Sequence, residues 1–122
     1  MIPVMGTFSH PITLISPSNG HSETLEALVD TGATFTTIPS PILERLDIEV
    51  QRRVRLRLAN GDVVEWALGE VRAEMDGEKS TILCIFGLPD TPPLIGAHTL
   101  EAFLLMVDPT EERLVPREAL LM

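Results

Sequence analysis

The sequence contains a single cysteine, Cys84, so no internal disulfide framework holds the fold together. A reducing, cytoplasmic setting is the expectation, and Met1 to His10 lacks the basic start and long apolar core of a secretion signal. No apolar run approaches the roughly 18 residues that a membrane span needs, so no membrane partner is expected. Basic residues are scarce too. Nine Lys and Arg stand against 18 Asp and Glu, a formal net charge of −9, which repels phosphate backbones and argues against a nucleic-acid partner. Arg52, Arg53, Arg55 and Arg57 are a local exception. Three of them alternate with Val54, Leu56 and Leu58, the pattern of the solvated face of a half-buried strand.

Other chemistries lack their residue patterns. His10, His21 and His98 do not have the close pairing of zinc ligands, and no metal is expected. Ser9, His10 or His98, and Asp108 could be assembled into a triad on paper, but no Gly-x-Ser-x-Gly elbow presents a serine nucleophile. Cys84 sits inside an apolar strand pattern, where a buried, inert thiol is expected. Trp66 and the five methionines read as packing residues.

What is present is a globular composition, 44% hydrophobic and 22% charged, in 122 residues, consistent with one domain over 1–122 and one core. No internal repeat, low-complexity tract or linker divides it. The chain reads as short strands punctuated by turns. Pro11 to Ser16 and Ser22 to Val29 form a hairpin about Asn19-Gly20. Thr34 to Ile38 is strand-like, and Ser40 followed by Pro41 predicts an N-cap and first-turn proline for a short helix over Ile42 to Leu46. Val50 to Leu58 and Val63 to Leu68 flank Asn60-Gly61, which predicts a long hairpin closed by a type I′ turn. Val71 to Met75 and Ser80 to Phe86 form a further hairpin about Asp76-Gly77. After the proline-rich Leu88 to Pro93, Leu94-Ile95-Gly96 leads to a short helix near Thr99 to Phe103. Leu104 to Val107 and Arg113 to Val115 are the last strand-like pieces, and Pro116 to Met122 is expected to form a terminal helical turn.

The chemically unusual stretch is Ala27 to Thr34. An apolar strand ends abruptly in Asp30, Thr31 and Gly32. Burying an uncompensated polar group costs roughly 2 to 7 kcal/mol, so such a carboxylate needs partners or a use. Gly32 lets backbone amides approach it and leaves space above it. Alone, Asp-Thr-Gly is also an ordinary turn after a strand.

In order along the chain, the Asp30-Thr31-Gly32-Ala33 ending, the Asn60-Gly61 hairpin and Leu94-Ile95-Gly96 before a helix resemble a subunit of the retropepsin-like aspartic proteases, which include retroviral proteases and bacterial relatives. The likeness extends from about Leu25 to Val115. It implies an all-β fold, a closed retropepsin-like barrel with one or two short helices. Asp30 would be the catalytic residue, with Thr31, Gly32 and Ala33 supporting its loop. Asn60 and Gly61 would be the flap tip, and Leu94, Ile95 and Gly96 would pack against the catalytic floor. Since the sequence holds one such Asp, the resemblance implies a homodimer with one Asp30 from each subunit.

Two carboxylates a few Å apart share one proton, so one serves as base toward a water and the other as acid toward the peptide carbonyl; aspartic proteases are the standard example. The implied activity is peptide-bond hydrolysis of an extended peptide or protein substrate, with no cofactor. Phe35 and Ile38 lie near enough to the Asp loop to be cleft or core residues. Viral members carry an Asp and an Arg as an ion pair where this chain has Thr34 and Ala97. The alternative is a peptide-binding or structural homodimer on the same fold without turnover.

Overall fold

The computed structural model describes residues 8–121. Strands β1 (Ser9–Ile15) and β2 (Ser22–Val29) form the first hairpin, in which Ser9 faces Leu28 and Ile15 faces Ser22. Gly20 takes the positive φ of +73° that its turn requires. β3 (Thr36–Pro39) runs into α1 (Ser40–Arg45), a short helix whose Leu43 is buried. Ser40 is not the expected N-cap. Pro39 occupies that position and no side chain caps the helix, while Pro41 lies in the first turn, where its missing N–H costs nothing.

β4 (Arg52–Arg57) pairs with β5 (Val63–Met75), and β5 pairs in turn with β6 (Glu78–Gly87). The two strands expected on either side of Gly69 are therefore one. Its first half pairs with β4, and its second half pairs with β6 and, over Arg72 to Glu74, with β1. Gly69 sits where the partners change. A Cβ there would lie 2.7 Å from the Glu49 carbonyl oxygen, so the missing side chain lets the Ile48–Glu49 segment cross close to the strand.

β7 (Leu94–Ile95) inserts between β2 and β3, parallel to the former and antiparallel to the latter. Hydrogen-bonded neighbours run β1-β2-β7-β3-β6-β5, and β5 pairs again with β1, so the sheet returns on itself while β4 remains outside the ring. α2 (Ala97–Ala102) follows β7, and β8 (Leu105–Asp108) with β9 (Arg113–Pro116) form a separate two-stranded sheet. Residues 117–121 contain no helix, so the expected terminal turn is absent there; Met122 lies outside the described residues.

Ile12, Leu14, Val29, Ile38, Leu43, Val71, Met75, Ile82, Cys84, Ile95 and Leu100 build the main core. Ile38 belongs here as a core residue. A second cluster, Val54, Leu68 and Ile85 with Phe35, Leu56, Trp66 and Leu83, lies at the base of the β4–β5 hairpin. Cys84 is fully buried, and that burial pushes its thiol up to about 12.

Candidate active site

β2 reaches the site because its alternation buries Ala27 and Val29, which fixes where the next residue emerges. Asp30 is the first residue beyond the strand. Its amide donates to the Ile95 carbonyl at 2.9 Å, extending the β2–β7 pairing by one bond. The chain then turns, with the Ala33 amide donating to the Asp30 carbonyl at 3.2 Å. Inside this turn the Gly32 amide donates to Asp30 Oδ1 at 2.9 Å. That bond gives the half-buried carboxylate a partner and fixes its position in the turn. A Cβ on residue 32 would stand 3.2 Å from the same Oδ1, tighter than an easy contact.

The second support comes from β7 and α2. The amides of Ala97 and His98, at the start of α2, donate to the carbonyls of Ala33 at 2.7 Å and Thr34 at 2.9 Å. Helix-start amides without an intrahelical acceptor are thereby satisfied by the loop itself. Gly96 allows the approach. A Cβ at 96 would fall 2.5 Å from the carbonyl carbon and oxygen of Phe35 and 2.9 Å from the Ala33 oxygen, so any side chain would separate the two segments. The Gly96 amide donates to Thr36 Oγ1 at 3.1 Å, and Thr36 Oγ1 lies 2.6 Å from Thr99 Oγ1, all of it buried. Backbone bonds thus tie Asp30 and Ala33 to Ile95 and Ala97, with Thr31 and Gly32 in the same turn and Leu94 and Gly96 on either side of Ile95.

Thr36 and Thr99 escaped the sequence reading. A β-branched residue in a strand is expected on propensity whether or not its hydroxyl is used. The available signal was the alternation Thr36, Ile38, which puts a hydroxyl on the core side. Thr34 and Ala97 do not form an ion pair, and their backbones join the two segments instead. A cavity of about 180 Å³ lined by Thr31, Gly32, Ala33, Thr34, Ala97, His98 and Glu101 opens beside the loop. The Phe35 and His98 rings are tilted at 38°, with centroids 5.9 Å apart.

Asn60 and Gly61 are not part of this assembly. They lie at the tip of the β4–β5 hairpin, where the Gly61 amide donates to the Leu58 carbonyl at 2.9 Å and the Leu58 amide to Asp62 at 2.8 Å. Gly61 has φ +94°, but Asn60 is not in the left-handed region, so the turn is not type I′. It is a three-residue loop whose glycine takes the bulge position. Asn60 Oδ1 accepts from the Asp62 amide at 2.9 Å, which stiffens the tip. The type I′ pattern occurs at Asp76-Gly77 instead, with φ of 53° and 84°. Of the histidines, His10 Nε2 contacts Asp76 Oδ1 at 3.1 Å. Among the described residues, no three His, Cys, Asp or Glu are grouped to hold a metal ion.

The fold has counterparts of known structure. The simian foamy virus (mac) protease superposes with a TM-score of 0.56 at 17% identity, covering 77% of this chain and 92% of that one. The EIAV protease, solved with the inhibitor HBY-793, gives 0.56 at 18% identity over 84% of this chain and 93% of its own. The retroviral protease-like domain of Ddi1 from Leishmania major gives 0.55 at 17% identity over 90% and 87%. At these identities the likeness is one of fold. No curated protein matches the sequence significantly. The family model described as gag-polyprotein putative aspartyl protease matches residues 18–101, a span holding both the Asp30 loop and the Leu94-Ile95-Gly96 segment that carries it, and the chain belongs to the retropepsin-like aspartic protease family.

Proposed function

We propose that the protein is a homodimeric aspartic endopeptidase in which each subunit contributes one Asp30. The observation that carries this reading is the Asp30 loop itself. A single carboxylate is held in place by the Gly32 amide, while Thr31 and Gly32 beside it are exposed in the isolated chain. One such loop gives one carboxylate, and the chemistry needs two. A two-fold axis beside Thr31 supplies the second from an identical surface.

In that dimer the two carboxylates are too close for both to ionise, so the pair holds one proton. The ionised member takes a proton from a water placed between them as the water attacks the scissile carbonyl. The protonated member donates to the carbonyl oxygen, and the tetrahedral intermediate then collapses with a proton passed to the leaving amine. Thr31 braces the paired loops, and Leu94, Ile95 and Gly96 form the floor that fixes each loop. The β4–β5 hairpin, with Asn60 and Gly61 at its tip, acts as the flap over an extended substrate. The reducing cytoplasm is the setting that the lone buried Cys84 suits.

The test is cleavage of a peptide library by the purified protein from acid to neutral pH, alongside Asp30→Asn. Cleavage by the wild type and none by the folded variant is expected. A folded, dimeric wild type that binds peptides without cleaving them would leave the non-catalytic peptide-binding reading in its place.

A further inference from the structure

Four of the chain's nine basic residues lie in the six residues of β4, in a protein of net charge −9. β4 is the terminal strand of the seven-stranded sheet and pairs only with β5, so its other backbone edge meets no strand among the described residues. Val54 and Leu56 turn inward onto the cluster that holds Trp66 and Phe35, while Arg52, Arg53, Arg55 and Arg57 are exposed. Two of the four also brace their own hairpin, with guanidinium N–H groups left over. Arg53 donates to the Glu65 carbonyl at 2.8 Å and Arg57 to the Gly61 carbonyl at 3.0 Å. The side chains of Arg52 and Arg55 make no hydrogen bond or ion pair with the described residues.

We propose that β4 is a docking edge for an acidic, extended segment of the substrate, one that carries Asp or Glu at alternate positions beside the bond to be cut. This deepens the proteolytic reading and rests on it. Three physical features select that occupant. An open strand edge accepts a peptide as an added strand. Side chains directly opposite on paired strands are about 4.5 to 5.5 Å apart, so Arg53, Arg55 and Arg57, which share one face of β4, meet carboxylates at every second residue, while Arg52 lies on the other face. Guanidinium groups bind carboxylates in a two-pronged geometry that an ammonium does not match. The rest of the surface is strongly acidic and repels the same segment, so the field itself steers it toward β4.

Arginines on an edge strand also deter pairing between copies, and the experiment separates that role from docking. Two peptides share one cleavable core and differ in a flank, Glu-x-Glu-x-Glu against Gln-x-Gln-x-Gln, placed on either side. The wild type is expected to favour the acidic flank about tenfold in kcat/KM in one placement, the sum of two or three exposed ion pairs. The preference should fade toward unity at about 0.5 M salt. Arg53→Gln with Arg55→Gln should abolish it, read as the ratio of kcat/KM between the two peptides, so that any change common to both cancels. Equal cleavage in both placements, or a preference that survives the double variant, overturns the proposal. Loss of oligonucleotide binding in the variant with no peptide preference in the wild type overturns it too, in favour of a nucleic-acid surface. If no peptide is cleaved, the proteolytic reading fails, and anisotropy with the labelled peptides still reads the β4 edge. A tenfold affinity difference that the double variant erases supports it, and equal affinities overturn it.

Discussion

Thr36 shows how a residue remote from chemistry can set a site's geometry. Its hydroxyl accepts from the Gly96 amide and shares a hydrogen with Thr99, and Gly96 is the point where β7 meets the Asp30 loop. Thr36→Val keeps the shape and removes the acceptor, stranding a buried N–H and a buried hydroxyl at a cost of about 1–3 kcal/mol. Denaturant midpoints should show that loss, and Thr36→Ser should recover most of it. Gly96→Ala should be worse, because the clash is with backbone that has no rotamer to move. Cys84 gives a test of environment over residue type. Burial pushes its thiol up to about 12, so the folded protein should resist thiol reagents, with no rise in rate between pH 7 and 9. Labelling faster than unfolding would contradict that burial. The Asp30 loop was legible in the sequence because Asp30-Thr31-Gly32-Ala33 is followed in order by Asn60-Gly61 and Leu94-Ile95-Gly96, whereas Asp-Thr-Gly alone reads as an ordinary turn. Thr36 was not, since its hydroxyl acts through a partner 63 residues away.

At the scale of elements, turns and strand alternation were readable and partner changes were not. The hairpins around Asn19-Gly20, Asn60-Gly61 and Asp76-Gly77 all occur, because glycine supplies positive φ wherever it is needed. Which turn forms depends on the length of the loop between the paired residues. Met75 faces Glu78 across a two-residue loop and takes the type I′ form, whereas Arg57 faces Val63 and leaves room for a bulge. The sequence pattern ends one strand at Leu68 and starts another at Val71, whereas the structure runs them together through Gly69, where the crossing Ile48–Glu49 segment and the Phe86 ring leave no room for a side chain. The Asn60-Gly61 tip then gives a discriminating prediction. Gly61→Val forces a β-branched residue to φ near +94°, and should lower stability by roughly 1–3 kcal/mol. If the hairpin closes over substrate, kcat/KM per folded dimer should fall as well, since a misaligned tip disturbs closure. Kinetics taken well below the variant's Tm check this, and an unchanged kcat/KM would leave Asn60 and Gly61 as a structural turn only.

At the scale of the whole molecule, a chain with one Asp-Thr-Gly loop makes the number of subunits part of the chemistry. On the proposed reading that count calls for a two-fold partner, and nothing in the sequence marks the surface such a partner would contact. The positions of the viral ion pair hold Thr34 and Ala97, and in the structure these segments are joined within the chain through backbone bonds. Activity tests whether two subunits are required. If each dimer needs two Asp30 side chains, folded Asp30→Asn protein mixed in roughly ninefold excess should, after subunit exchange, leave about one wild-type subunit in ten with a competent partner. Activity should fall to about a tenth of that of the same wild type alone, and specific activity should also fall on dilution as dimers dissociate. A monomeric enzyme would show neither effect. The pH profile adds an independent constraint on the same pair. If two carboxylates share one proton, removing it eliminates the acid and adding a second eliminates the base, so kcat/KM should decline on both sides of an optimum. A rate that climbs steadily into alkaline solution would mean that a single group, not a pair across the two-fold axis, carries the reaction.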